Sequence, residues 1–134
     1  MSDRARLQAA AYAALRIVSG ALFTLHGTQK LFSFPVPAPM KIEIASQLGL
    51  GAIIELVCGL LIMLGLFTRP AALIASGTMA VAYFQFHWKF AMAHWMFLPM
   101  VNQGEPAVLY CFIFLVFAAM GAGMYSLDAK RGNA

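Results

Sequence analysis

Ionisable side chains inside apolar segments are where this sequence can do chemistry, because a charge at the centre of a lipid-embedded helix costs about 2.5 to 3.5 kcal/mol even on lenient insertion scales. Two such residues occur, Arg16 and Glu55. Counting at the helical rise, Arg16 lies ~15 Å and Glu55 ~12 Å from the same end of their segments. Matching depth predicts an Arg16–Glu55 pair, since the planar guanidinium suits a bidentate carboxylate contact. Such a pair either serves a polar ligand or only fixes helix register. Glycines reinforce close packing here: Gly51, Glu55 and Gly59 share one helix face, and Arg16, Gly20 and Gly27 share another.

A second group gathers at that same end of the apolar segments. His26 and Lys30 close the first, His87 ends the third, His94 lies in the loop that follows, and Glu105 opens the fourth. Histidine titrates near neutral pH and can donate, accept or ligate, while a neighbouring carboxylate can orient the ring or relay its proton. The group could hold a quinone head group or a metal. Each member also has a plainer reading: interfacial histidines are often merely solvated, and Glu105 at a helix N-terminus meets free amides and the positive end of the dipole.

The elements that must position these groups are four apolar runs, at about 9–28, 47–67, 71–88 and 106–125. Each is near the ~20 residues that span a hydrocarbon core. The chain has 134 residues, 62% hydrophobic and 10% charged, too few charges to cover a soluble surface. The expected fold is therefore all-α, a membrane-embedded antiparallel four-helix bundle formed by one domain over 1–134. Arg4 and Arg6 precede the first run as in a signal peptide, but Arg16 interrupts it and no small-residue cleavage site follows, so it reads as an uncleaved anchor.

Arg4, Arg6, Arg69, Lys130 and Arg131 would share one side of a bilayer, against Lys30, Lys41 and Lys89 on the other. That bias places both termini in the cytoplasm of a multi-pass protein, in a bacterium the inner (cytoplasmic) membrane. The loops on the far side are themselves apolar, with Phe32, Phe34, Pro35, Pro37 and Pro39 in one and Phe90, Trp95, Phe97, Leu98 and Pro99 in the other. They suit the lipid interface, where aromatic rings are favoured. The net charge of +4 comes from scattered residues with no aromatic-interleaved basic patch, so nucleic acid is not an expected partner.

Several redox cofactors lack their signatures. No histidine lies near a helix centre to ligate haem, and neither a flavin motif nor zinc-type Cys/His spacing occurs. Cys58 and Cys111 fall at depths of ~16 Å and ~9 Å, which disfavours a disulfide and predicts two buried free thiols. The nine methionines read as adaptable packing rather than a copper relay, although Met92, Met96 and Met100 near His94 leave that alternative open.

The polar and glycine positions together resemble the DoxX family of small four-helix bacterial membrane proteins, over nearly the whole chain. The resemblance is carried by Arg16, Gly20, Gly27, Lys30 and Leu31, and by Glu55, Gly59, Leu61, Gly65, Leu66, Thr68 and Arg69. It continues in Asn102, Gln103, Gly104 and Glu105, similar to the family's Asn-Gly-Gly-Glu, and in the ending Gly121, Ala122, Gly123, Ser126, Leu127 and Asp128. Gln103 stands where glycine is common, and Ala122 where proline is common.

What the resemblance implies is an oxidoreductase or a membrane subunit tied to quinone or thiol redox metabolism. It carries over Arg16, Lys30, Glu55, Asn102 and Glu105. The expected site thus has Lys30, Glu55 and Glu105 as reacting groups, and His26, Arg16 and Asn102 as binding groups, with no metal. A quinone head group would meet His26, Lys30 and Glu105, with Arg16 and Glu55 as a polar floor. Electrons would come from a redox partner protein or larger membrane complex, because the sequence supplies no carrier of its own. The alternative is a noncatalytic membrane adaptor or assembly subunit that holds a partner by its apolar loops.

Overall fold

A computed structural model describes residues 1–133, and among these the secondary structure is helical with no strand. Four longer helices carry the architecture: α1 (Asp3–Phe32), α2 (Gln47–Leu64), α3 (Thr68–Ala82) and, after a short α4 (Pro99–Asn102), α5 (Glu105–Met120). A π-helical turn (Tyr83–Trp88) continues α3, a 3-10 turn (Ala93–Trp95) precedes α4, and α6 (Leu127–Lys130) closes the chain. α1 and α2 are long and apolar enough to cross a membrane; α5 is apolar but shorter.

Helix ends follow local chemistry rather than hydropathy. α1 starts well before the apolar run expected at 9–28, because Ser2 caps it by accepting from the Ala5 amide and the polar residues after it propagate the helix. α2 stops at Leu64, where Gly65 adopts φ 67° and its amide donates to the Ile62 carbonyl. α5 ends at Met120 instead of running to 125, since Gly121 (φ 88°) and Gly123 (φ 76°) leave the helical region.

α1 and α2 run in opposite directions and pack closely, as do α3 and α5. The first contact depends on missing side chains: Gly20 lies against the backbone of Gly59 and Met63, and Gly27 against that of Ala52 and Leu56. A Cβ at either glycine would collide with backbone that cannot yield. In the second, Ala71, Ala72 and Ala75 of α3 make room for Phe114 and Phe117 of α5. Phe23 of α1 closes the core over Phe114, with ring centroids 4.7 Å apart. Many large apolar side chains face outward, among them Leu15, Val18 and Leu22 on α1 and Leu109, Phe112 and Leu115 on α5.

Candidate functional site

The glycine contacts between α1 and α2 decide which charges can meet. With Gly20 beside Gly59 and Met63, and Gly27 beside Ala52 and Leu56, Glu55 faces the last two turns of α1. Lys30 reaches it there: Nζ donates to Glu55 Oε1 at 2.6 Å. The Lys30 side chain is 29% exposed, whereas Glu55 is 5% exposed, and its second oxygen, Oε2, is buried with no hydrogen-bond partner.

Arg16 is carried past this carboxylate, so the expected Arg16–Glu55 pair does not form. In the same register Arg16 comes to Gly65, where any side chain would strike its guanidinium. There it is 1% exposed and bonds only to backbone carbonyls. Nη1 donates to Ile62 and Met63 at 2.7 Å each, Nε to Ala122 at 3.0 Å and Nη2 to Tyr125 at 2.6 Å. Two of these carbonyls end α2, where a cation also meets the negative end of the dipole. Depth counting failed because α1 runs on past His26 to Phe32, which sets Arg16 about 24 Å from that end against about 12 Å for Glu55.

Asp128, not singled out as a site residue, completes this end of the molecule. Its carboxylate accepts from the amides of Phe67 (3.0 Å) and Thr68 (2.9 Å), capping α3, whose own N-cap position supplies no side-chain bond. Burial would raise the Asp128 carboxyl, but the two amide bonds and the nearby Arg131 charge outweigh it and hold it below the ordinary value. Arg131 stacks over the Phe67 ring at 4.6 Å. Arg16 and Asp128 are thus fixtures that join the C-terminal segment to the α2–α3 turn.

Beyond the Lys30–Glu55 pair, α2 and α3 separate and leave a groove of about 680 Å³. Its polar lining is Lys30, Glu55, Gln47, Thr78 and His87; the rest is mostly apolar, including Ile54, Met79, Val81 and Phe86. That volume and composition suit a small amphiphile. Positions 51 and 77 are glycines with no atom within 4 Å of where a Cβ would stand, so their missing side chains keep the groove open. Rim residues Leu50 and Val81 are exposed, and at one end Gln47 Nε2 donates to Gln85 Oε1 at 2.6 Å. The π-helical turn sets Phe86 and His87 into the lining, a local departure from α-helix of the kind found at functional sites.

The other expected residues are dispersed. His26 is exposed and its ring packs edge-on to Tyr110, 6.4 Å between centroids. Glu105 is exposed at the start of α5, in a separate shallow hollow with Leu98, Pro99, Met100, Val108 and Leu109. Asn102 is buried and its side chain is spent on its own loop and on the π-helical turn that continues α3. Nδ2 donates to the Met96 carbonyl (2.9 Å) and the Tyr83 hydroxyl (3.2 Å), and Oδ1 accepts from the Gly104 amide (2.8 Å). Its carbonyl lies 3.3 Å from His87 Nδ1, a contact in which the ring nitrogen must donate. Of the groups expected to form one cluster, the groove therefore keeps Lys30, Glu55 and His87.

Both cysteines are free, Cys58 buried and Cys111 only partly so, with its sulfur 3.5 Å from Ser76 Oγ.

Comparison with known proteins finds relatives of the sequence. The family model described as DoxX matches residues 11–88, which contain Arg16, Lys30, Glu55 and His87. A protein of Haemophilus influenzae described as an uncharacterized protein is 43% identical over 118 residues, 87% of each chain. No solved structure matches.

Proposed function

This chain belongs to the DoxX family, and on that premise we propose that it is a quinone-binding membrane subunit whose head-group site is the Lys30–Glu55 pair. In this reading the helices form an antiparallel four-helix bundle embedded as a multi-pass protein in a bacterial inner membrane, with both termini cytoplasmic. The outward Leu, Val and Phe side chains of α1 and α5 suit contact with lipid tails.

One observation carries the reading: a buried carboxylate with an unpartnered oxygen, next to an ammonium, lines an apolar groove open on its outer side. An amphiphile dissolved in lipid enters such a groove laterally, tail along α2 and α3 and head toward the charges. Lys30 donates to a head-group oxygen; Glu55 and His87 are placed to hold or pass protons. Electrons come from a protein partner with its own redox centre, so the subunit acts within a larger assembly.

Binding of a short-chain benzoquinone to the full chain in lipid nanodiscs tests this, with Gly77→Leu as the blocked control. Saturable binding that Gly77→Leu abolishes supports the reading. No binding by the native protein, together with partner co-purification that is lost on changing exposed Phe90 or Trp95, replaces it with the noncatalytic adaptor.

A further inference from the structure

The polar end of the groove is chemically lopsided. Lys30 Nζ donates to Glu55 Oε1 at 2.6 Å, the geometry of an ammonium–carboxylate ion pair. Glu55 Oε2 is then an acceptor, buried and unpartnered. An ionised carboxylate has no proton to give, so only a donor satisfies it. The ammonium has three N–H groups, one of them spent on Oε1, and its side chain is partly exposed. An atom that completes this site must give a proton to Oε2 and offer a lone pair to Nζ. A hydroxyl oxygen does both, whereas carbonyl and ether oxygens serve only the lysine.

We propose that the groove selects the reduced, hydroxyl-bearing quinol over the oxidised quinone. The Glu55 carboxylate, whose Oε2 is buried, turns toward the groove on binding; the phenolic O–H then donates to Oε2 while the same oxygen accepts from Lys30 Nζ. This rests on the quinone-site reading above and adds the redox state the site prefers. Ring and tail fit both forms alike, since Gly51 and Gly77 leave the groove open irrespective of the head group. The discrimination therefore comes from one hydrogen bond to a buried charge, and leaving such an acceptor unmet costs enough to predict a preference of about tenfold or more. Tighter binding of the reduced form raises the potential of the bound two-electron couple, by about 30 mV for each tenfold.

The experiment compares three probes on the full native chain in lipid nanodiscs under anaerobic conditions: a short-chain 1,4-benzoquinone, its quinol, and the quinol dimethyl ether, with empty nanodiscs as the partition control. The quinol should bind about tenfold or more tightly than the other two. Glu55→Gln, whose amide can turn a donor toward the ligand, should erase or invert that order. Equal affinity for quinone and quinol would overturn the preference while leaving the quinone site standing. Failure of all three to bind would overturn both. The native three-probe comparison decides the matter even if Glu55→Gln does not fold.

Discussion

Lys30 donates to Glu55 at 2.6 Å from the last turn of α1, while Arg16 of the same helix bonds to the backbone end of α2. Gly20 and Gly27 enforce this division, because they let the two backbones touch in one register only. One basic residue thereby faces the groove and the other is locked into the fold.

The two partners of the ion pair should respond unequally to neutralisation. Lys30→Met leaves a buried carboxylate without its cation, a loss of about 3 kcal/mol, while Glu55→Gln leaves a partly exposed ammonium that water can reach. Thermal unfolding in detergent should rank Lys30→Met as the less stable, and the double variant should recover part of the loss.

Arg16→Lys should destabilise by at least ~2 kcal/mol, because an ammonium cannot span the carbonyls of Ile62, Met63, Ala122 and Tyr125 that the planar fork reaches. Exchanging the charges as Arg16→Glu with Glu55→Arg should give no rescue. Recovery of native stability by that exchange would mean the two side chains interact after all.

Glycines that look alike in sequence should separate into two classes. Gly20→Ala and Gly27→Ala push against backbone and should loosen the α1–α2 contact, whereas Gly51→Ala and Gly77→Ala meet open space and gain up to ~1 kcal/mol of helix propensity. Unfolding midpoints of the four variants check this directly.

The Asp128 cap makes the C-terminal segment pH-dependent. Its folded carboxyl titrates below the ordinary 3.8, so its stabilisation is fully present above that value and is lost as pH falls through the lower folded one. Hydrogen-exchange protection of residues 123–131 should hold at neutral pH, decline below about pH 4, and be low at every pH in Asp128→Asn. Equal protection in the variant at pH 7 would remove the cap from the explanation.

Apolar runs made the four longer helices readable in the sequence, because burial and lipid contact both reward the same residues. Helix limits were less readable: Asp3, Arg4 and Arg6 continue α1 beyond its apolar stretch, and glycines with positive φ end α5 early. Glu55 and Lys30 could be named as candidates from residue type and place, but their pairing could not, since it depends on how far one helix slides along another. Spacing within a helix is silent on that slide. Asn102 shows a further limit, because a polar motif before a helix looks the same whether its side chain meets a ligand or ties its own loop. Gln103 takes φ 59°, which explains why glycine suits that place, and the departure left the loop intact. Asp128 lay beyond the last apolar run, and its partners Phe67 and Thr68 are remote in sequence.

The most direct test of the groove as the binding site is photolabelling of the native protein in lipid nanodiscs with an azido-benzoquinone, followed by peptide mapping with and without excess unmodified quinone. Competed label is predicted on residues 47–55 and 77–87, and it should vanish in Gly77→Leu. Competed label confined to the faces that carry His26 or Glu105, with residues 47–55 and 77–87 unmarked, would contradict the assignment of Lys30 and Glu55 to the head group.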